Sequence, residues 1–124
     1  MIYIDTHVAI FLYQGDLNLL SKKTISLLEE KTPILSAMSE LELHYLHEIG
    51  KLCVNPNIII KSLQEDLNLK RCQLPCSDIV QKAKLLNWTR DPFDRMIVGN
   101  AQLAKKQLIT KDKVILENFK ESIW

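Results

Sequence analysis

Residues 1–13, MIYIDTHVAIFLY, carry the pattern that decides the fold. Residues 2–4, Ile-Tyr-Ile, form a short apolar run typical of a buried strand, and the run stops at Asp5. Residues 7–13 then contain enough apolar side chains for a short helix, which we expect to end near Gly15. A strand followed directly by a helix is the first unit of a parallel β/α fold.

The same alternation continues along the rest of the chain. Capping residues, prolines and apolar spacing predict further helices at about 21–30, 38–49, 55–69, 77–86 and 91–106. Short apolar runs predict further strands at 34–36, 72–74 and 108–110, and within 119–124. No linker, repeat or low-complexity stretch interrupts this pattern. We therefore expect one α/β domain over residues 1–124, with a central parallel sheet covered by helices on both faces.

The composition excludes several classes of protein. The 124 residues are 47% hydrophobic and 25% charged, a globular balance that excludes a disordered or fibrous chain. The longest apolar run, at 8–13, is far shorter than the roughly 18 residues that indicate a membrane span. No basic and apolar leader precedes the first strand, and three irregularly spaced cysteines suit a reducing compartment. We therefore expect a cytoplasmic protein.

Charge is distributed unevenly, although the whole chain has a net charge of only +1. Residues 1–50 contain three Lys against seven Asp and Glu, a net charge of −4. Residues 51–124 contain 13 Lys and Arg against eight Asp and Glu, a net charge of +5. Such a molecule can present a basic surface to a polyanion beside an acidic pocket. Solvated helix faces would give the same composition, so charge alone does not identify a partner.

Two aspartates follow predicted strands. Asp5 comes directly after the first strand, and Asp112 lies two residues after the strand at 108–110. Because ligands bind beyond the carboxyl ends of parallel strands, both side chains are candidates for a site at that edge of the sheet. Each could instead be a loop aspartate that caps the next helix.

Glu42 has an unusual place on the helix predicted at 38–49. A helical wheel puts it inside an apolar stripe, which we expect to face the core and which consists of Met38, Leu41, Tyr45 and Ile49. Burying an ionised carboxylate is costly unless it is paired or bound to a metal. A functional role for Glu42 is therefore expected.

Asp91 and Asp94 begin the helix predicted at 91–106. Asp91 is a good N-cap, Pro92 suits the first helical position, and Asp94 lies in the first turn. Capping and the helix dipole explain both aspartates without any function. On the helical wheel, however, Asp94 borders the apolar stripe, so a second role for it stays open.

Four carboxylates would therefore lie at one end of the sheet: Asp5, Glu42, Asp94 and Asp112. Anions at such close range repel one another unless a cation neutralises them. Oxygen ligands alone favour Mg²⁺ or Mn²⁺ over Zn²⁺. A metal of this kind activates water and stabilises the leaving oxygen in the hydrolysis of phosphate esters.

Residue types alone also allow two other sites. His44 and His47 with Cys72 and Cys76 include the ligand types of a zinc site, although solvated histidines and packed thiols are the simpler interpretation. Asp5 could instead be the phosphoacceptor of a receiver or a haloacid-dehalogenase-type domain. The adjacent acids, the Lys-Pro pair and the Asp-x-Asp motif of those families are absent.

The sequence resembles the PIN-domain ribonucleases and, among them, the VapC-like toxins of type II bacterial toxin–antitoxin systems. The matching stretches follow the family's order along the whole chain: YIDTH at 3–7, LSAMSELE at 35–42, GKL at 50–52, RDPFDRMI at 90–97, LITKD at 108–112 and IW at 123–124. RDPFDRMI contains the most specific of these motifs. Gly99 and Asn100 depart from the family pattern, which concerns local packing only.

The resemblance implies a three-layer α/β/α sandwich that acts as a Mg²⁺- or Mn²⁺-dependent endoribonuclease, in which a metal-activated water hydrolyses phosphodiester bonds. It also implies structured RNA such as tRNA or ribosomal RNA as the substrate, a homodimer, and a cognate antitoxin. The family's functional positions fall on the acidic set Asp5, Glu42, Asp94 and Asp112, on the hydroxyl neighbours Thr6 and Thr110, and on Asp91, which is better explained as a helix cap. An inactive PIN-like binding module is the alternative, although all four acidic positions are present.

Four lysines are candidate contacts to the RNA backbone, because they lie near the expected mouth of the site: Lys105, Lys106, Lys111 and Lys113. Exposed helix and loop lysines would give the same pattern.

Overall fold

Five short strands form one wholly parallel sheet in the computed structural model, which describes all 124 residues. The strands are β1 (Ile2–Ile4), β2 (Pro33–Leu35), β3 (Lys70–Arg71), β4 (Leu108–Ile109) and β5 (Ser122–Ile123). Their order across the sheet is β3-β2-β1-β4-β5, so the direction in which strands are added reverses between β1 and β4. The predicted parallel sheet is confirmed.

Seven α-helices and one 3₁₀ turn connect the strands. They are α1 (Thr6–Gln14), the turn at Leu17–Leu19, α2 (Lys22–Glu30), α3 (Ala37–Glu48), α4 (Pro56–Leu67), α5 (Cys76–Ala83), α6 (Pro92–Ala104) and α7 (Lys113–Asn118). None of these helices combines the length and the hydrophobicity that crossing a membrane would require.

Alternating strand residues separate two apolar cores. Ile2 and Ile4 of β1 belong to a core that also contains Val8 of α1. Tyr3, which lies between them, belongs to a second core that contains Ile97 of α6. Because successive strand side chains point to opposite faces, helices pack on both sides of the sheet. The predicted three-layer α/β/α architecture is therefore confirmed.

The third strand differs from the sequence prediction. β3 is Lys70–Arg71, whereas the apolar pattern predicted a strand at 72–74. Asn68 adopts a left-handed conformation with φ of 55° at the end of α4, and this turns the chain into the strand two residues earlier. Both residues of β3 are exposed, and a strand at the edge of a sheet does not need the apolar side chains on which the prediction relied.

The apolar stripe of α3 is exposed, so the prediction that it faces the core is wrong. Leu41, Tyr45 and Ile49 are 55%, 45% and 46% exposed, while Ser39 and Leu43 on another side of the helix are fully buried. An amphipathic pattern shows that the faces of a helix differ, but it does not show which face the chain itself covers. Met38 packs against the second core, and Tyr45 packs beside Phe93 with ring centroids 5.5 Å apart, so the stripe is a hydrophobic surface that the chain covers only in part.

Gly99 allows α5 and α6 to pack closely. A Cβ atom at this position would lie 2.9 Å from the backbone nitrogen of Ala83, which is closer than such contacts ever are. Asn100 beside it is 2% exposed, and its Nδ2 donates to Sγ of Cys72 at 3.4 Å. Both residues therefore belong to the local packing of α6 against its neighbours.

Candidate active site

An open cleft of about 380 Å³ lies at the carboxyl edge of the sheet, where the strand order reverses between β1 and β4. Its lining contains five acidic residues and three others: Asp5, His7, Phe11, Glu42, Asp91, Asp94, Lys111 and Asp112. Such a reversal is where open parallel sheets bind their ligands. The structure therefore brings together all four acidic residues that the sequence singled out, and it adds Asp91.

Asp5 is the most enclosed of these acids and is 7% exposed. It follows β1 directly, and its backbone N–H donates to the carbonyl of Ile109 at 2.9 Å. The hydroxyl of Thr110 donates to Oδ2 at 2.6 Å, and the backbone N–H of Thr6 donates to Oδ1 at 2.7 Å. Donors therefore hold both carboxylate oxygens and fix the orientation of this side chain.

Thr6 and Thr110 each connect two of the acids. The hydroxyl of Thr6 donates to Oε1 of Glu42, so the first residue of α1 holds both Asp5 and Glu42. The hydroxyl of Thr110 accepts a hydrogen bond from the backbone N–H of Asp112 at 3.1 Å while it donates to Asp5. These two buried hydroxyls therefore orient the acidic set from beneath.

Asp112 begins α7, a helix that the sequence pattern did not predict. Its Oδ1 accepts a hydrogen bond from the backbone N–H of Ile115 at 3.0 Å. The capping role that the sequence left open for Asp112 is therefore present. Capping occupies one carboxylate oxygen, and the residue still lines the cleft.

Asp91 and Asp94 come from the N-terminus of α6. Asp91 is the N-cap, because its Oδ1 accepts from the backbone N–H of Phe93 at 2.8 Å and of Asp94 at 3.3 Å. The carboxylate of Asp94 has no hydrogen-bond partner within the protein, although it lines the cleft and is partly buried. Asp94 is therefore the acid most dependent on a ligand from outside the chain.

Burial and mutual repulsion shift the ionisation of three acids. Burial raises the pKa of Asp5 and of Glu42 above the ordinary carboxyl range, and hydrogen bonds from the two threonines partly oppose this effect. Burial, followed by repulsion from the other four carboxylates of the cleft, raises the pKa of Asp94 to about 7. The cleft therefore holds more negative charge than it can easily keep ionised without a cation.

The donor set fits a hard divalent cation. Five carboxyl groups surround the cleft, and no thiol lines it. In the side-chain conformations of the structure, no three His, Cys, Asp or Glu residues are arranged to hold one metal ion directly. Proteins commonly bind Mg²⁺ through one or two carboxylates and several water molecules, and the cleft is open enough for such a mode.

The four candidate lysines lie in different places. Lys111 lines the cleft, and Lys113 is the exposed first residue of α7. Lys105 and Lys106 follow the C-terminal end of α6, whereas Asp94 lies in its first turn, so about 17 Å of helix separates them. The expectation that Lys105 and Lys106 lie at the mouth is not met, because α6 carries them to the opposite edge of the sheet.

The alternative zinc ligands are not brought together. His47 contacts the carbonyl of Leu52 through Nδ1 at 2.8 Å, and Cys72 accepts a hydrogen bond from the hydroxyl of Tyr3 at 3.1 Å. Neither residue belongs to a group that could hold a metal ion. These side chains therefore give no support to the zinc interpretation.

Comparison with solved structures identifies the fold. A toxin–antitoxin complex from Klebsiella pneumoniae contains a chain with a TM-score of 0.70 and 16% identity, and the alignment covers 100% of this chain and 97% of that one. VapBC2 from Rickettsia felis, bound to a DNA fragment from its promoter, gives a TM-score of 0.69 at 16% identity, with coverage of 99% and 96%. The chain has the PIN-like fold.

A third solved structure is less similar, and comparisons of the sequence alone find no match. FitAcB from Neisseria gonorrhoeae gives a TM-score of 0.50 at 18% identity, with coverage of 90% of this chain and 88% of that one. No family model matches the sequence, and no curated protein matches it. The resemblance to PIN-domain proteins inferred from the sequence motifs is therefore confirmed at the level of the fold.

Sequence reasoning missed two residues of the PIN-like cleft, His7 and Phe11. They are four residues apart on α1 and therefore lie on the same side of that helix, directly after Asp5. This i, i+4 spacing was a usable signal. The apolar residues at 7–13 predict a helix, and this pattern by itself does not indicate a site.

Proposed function

We propose that this chain is a metal-dependent endoribonuclease and the toxin of a toxin–antitoxin pair. The observation that carries the proposal is the set of five carboxyl groups, drawn from separate elements, in one cleft at the carboxyl edge of the sheet. The Klebsiella pneumoniae structure with the same fold is a toxin–antitoxin complex, which supports the choice of partner. The proposed substrate is structured RNA of the tRNA or ribosomal RNA class in the cytoplasm, and the proposed partner is a cognate antitoxin.

The residues of the cleft would have different roles in phosphodiester hydrolysis. A bound Mg²⁺ or Mn²⁺ would supply Lewis acidity at the phosphate and lower the pKa of a water molecule. Asp5, Asp94 and Asp112 would hold this cation. Thr110 fixes one oxygen of Asp5 and the backbone of Asp112, so the two acids keep a constant orientation.

Glu42 would act on the attacking water. Thr6 donates to its Oε1, which leaves Oε2 free to accept a proton. Burial raises the pKa of Glu42, which makes it a stronger base than an exposed glutamate. Attack of the water at phosphorus with departure of the 3′ oxygen, which takes up a proton, would leave a 5′-phosphate and a 3′-hydroxyl, and these are the expected products.

The test is brief expression of the wild-type chain and of Asp94→Asn in bacterial cells, followed by mapping of new RNA 5′ ends. Asp94 is the suitable residue because its side chain takes part in no hydrogen bond that holds the fold. Cuts that appear only with the wild-type chain would identify the RNA. Identical 5′ ends from the two proteins would reject the nuclease and favour an inactive binding module.

We also propose that the chain forms a homodimer through the exposed stripe of α3. Leu41 of this stripe adjoins Leu74 and Ile79 in a depression of about 190 Å³ that is lined almost entirely by apolar residues. Exposed apolar patches of this kind on soluble proteins commonly mark interaction sites. The exposed stripe of α3 is the observation that supports the homodimer.

Leu41→Lys is expected to convert the dimer to a monomer at micromolar concentration. A charge in the middle of an apolar interface must be desolvated without a partner, which weakens association by about 100-fold or more. Light scattering should change from twice the chain mass of 14.3 kDa to that mass itself. Ile58→Lys is the control, because Ile58 is equally exposed at 54% but belongs to α4 and does not line the depression. A monomeric wild type would contradict the proposal.

A further inference from the structure

Two aromatic rings and a lysine form a cluster at the rim of the cleft. The ring centroids of Phe11 and Trp124 are 6.5 Å apart with an edge-to-face angle of 62°. Nζ of Lys111 lies 5.8 Å from the centroid of Phe11 and 5.9 Å from that of Trp124. Phe11 and Lys111 line the cleft itself, and Trp124 adjoins them. We call these three residues the aromatic rim.

The parallel sheet delivers all three residues to the same edge. β5 pairs with β4, and the backbone N–H of Thr110 donates to the carbonyl of Ile123 at 3.0 Å, so the chain after β5 emerges beside the chain after β4. Trp124 therefore lies next to Lys111. Phe11 reaches the same place from the second turn of α1.

The rest of the chain covers the three side chains of the aromatic rim only in part. Phe11 and Trp124 are partly exposed and Lys111 is exposed. The ammonium group of Lys111 has no carboxylate within ion-pairing distance, although five acids share its cleft; the ion pairs of the chain are Lys61 with Glu65 and Arg71 with Glu40. A cation without an anionic partner therefore lies over two partly exposed aromatic rings at the entrance.

A polyanion needs such a rim to approach this cleft. The carboxylates repel the phosphates of an RNA strand, and Lys111 is the only lysine that lines the cleft. A nucleotide carries both an aromatic face and a phosphate. Stacking on aromatic side chains and contact with a nearby cation are the two interactions by which proteins hold single-stranded nucleic acid.

We propose that the aromatic rim is a nucleotide-binding subsite, in which Phe11 and Trp124 stack a base of the RNA next to the scissile bond while Lys111 contacts an adjacent phosphate. This inference rests on the proposed function and deepens it. It assigns the rim to an unpaired nucleotide, because a paired and stacked base cannot offer its face to the rim.

Fluorescence of a single tryptophan tests the subsite. The chain has two tryptophans, and Trp88 packs against the second core on the far side from α1, so Trp88→Phe leaves Trp124 as the only reporter. Asp94→Asn in the same protein prevents cleavage during the measurement. The probes are an oligouridine of about ten nucleotides and a ribose-phosphate oligomer of equal length without bases, both in Mg²⁺.

The oligouridine is expected to quench Trp124, and the abasic oligomer is not. Trp124→Leu should weaken binding of labelled oligouridine about 5- to 100-fold without changing its dependence on salt, and Trp124→Phe should restore most of the loss. Lys111→Met, a substitution at an exposed position, should lower the slope of log affinity against log salt by about 0.7. Trp88→Phe alone should bind as the wild type does.

Three results would overturn the subsite. One is equal affinity for the two oligomers, and another is unchanged affinity of both Trp124→Leu and Lys111→Met. The third is quenching of Trp124 by a co-expressed partner protein but not by RNA, which would assign the rim to protein recognition. Wild-type cleavage of RNA measured in parallel separates the two proposals: cleavage without any effect at Trp124 rejects the subsite alone, and absence of both cleavage and RNA binding rejects the nuclease as well.

Discussion

Asp94→Asn is expected to abolish metal-dependent cleavage of RNA and, at the same time, to make the metal-free protein more stable at pH 8. Loss of one carboxylate from a cation site removes several kcal/mol of transition-state stabilisation, and each 1.36 kcal/mol is a factor of ten in rate. We therefore expect kcat/KM to fall by about 10²- to 10⁴-fold. The stability change has the opposite sign because it has a different cause.

The gain in stability comes from the surroundings of Asp94. Burial and the neighbouring carboxylates raise its pKa to about 7, so at pH 8 the folded protein must hold an ionised group that its surroundings disfavour. Asparagine has nearly the same shape and no charge, and the replaced side chain makes no hydrogen bond that would be lost. Because the site is half exposed and screened, we expect a gain of about 1–2 kcal/mol rather than the full value of the pKa shift.

Asp91→Asn is the matched control for this experiment. Asp91 lies three residues away on the same helix end and lines the same cleft, but it caps α6 through Oδ1. Asparagine is an equally good N-cap, so the end of α6 should stay intact, and the loss of one charge that repels Asp94 should stabilise the protein at pH 8 by less than Asp94→Asn does. This variant should lose less than about tenfold in kcat/KM. Steady-state cleavage and chemical denaturation in EDTA measure the two quantities. Equal losses of activity in the two variants would show that the acids contribute general negative charge and no specific cation site.

The acidic set could be predicted because Asp5 and Asp112 follow strands, while Glu42 and Asp94 are carboxylates in or beside an apolar helix stripe. Asp5 and Asp112 follow parallel strands, whose carboxyl ends must meet at one edge, and this argument needs no three-dimensional information. The sequence argument for Glu42 assumed that its side of α3 faces the core, which is wrong. The stripe that surrounds it is exposed, and Glu42 reaches the cleft only because Thr6 at the start of α1 stands next to α3.

The aromatic rim and the misplaced lysines show what the sequence could not provide. Phe11 and Trp124 are 113 positions apart, and only the pairing of β5 with β4 brings them to 6.5 Å. Lys105 and Lys106 looked close to Asp112 along the chain, but the helix that precedes them runs away from the cleft. Proximity in sequence is a poor guide in a β/α fold, because each helix carries its two ends to opposite edges of the sheet.

The stability of the metal-free protein is expected to fall as the pH rises from about 4 to above 7. The pKa of Asp94 rises from 3.8 to about 7 on folding, and the pKa values of Asp5 and Glu42 also rise, so the folded state binds these protons more tightly than the unfolded chain does. Stability that depends on a proton bound more tightly in the folded state is fully present below the unfolded pKa and is lost as the pH passes through the folded pKa. We expect a fall on the order of 2 kcal/mol between pH 5 and pH 8 in EDTA.

Mn²⁺ should reverse this loss at pH 8 and have little effect at pH 5. A cation that binds only the folded protein adds about 2.7 kcal/mol at one hundred times its dissociation constant, but at pH 5 it must first displace the protons that the acids hold. The measurement is the thermal unfolding temperature at each of the two pH values, once with EDTA and once with millimolar Mn²⁺. Asp94→Asn should flatten both the pH dependence and the response to Mn²⁺, while Asp91→Asn, which removes only one of the charges that repel Asp94, should flatten them less. An equal effect of Mn²⁺ at pH 5 and pH 8 would mean that the cation binds at a site that does not exchange protons for metal in this range, away from the acids of the cleft.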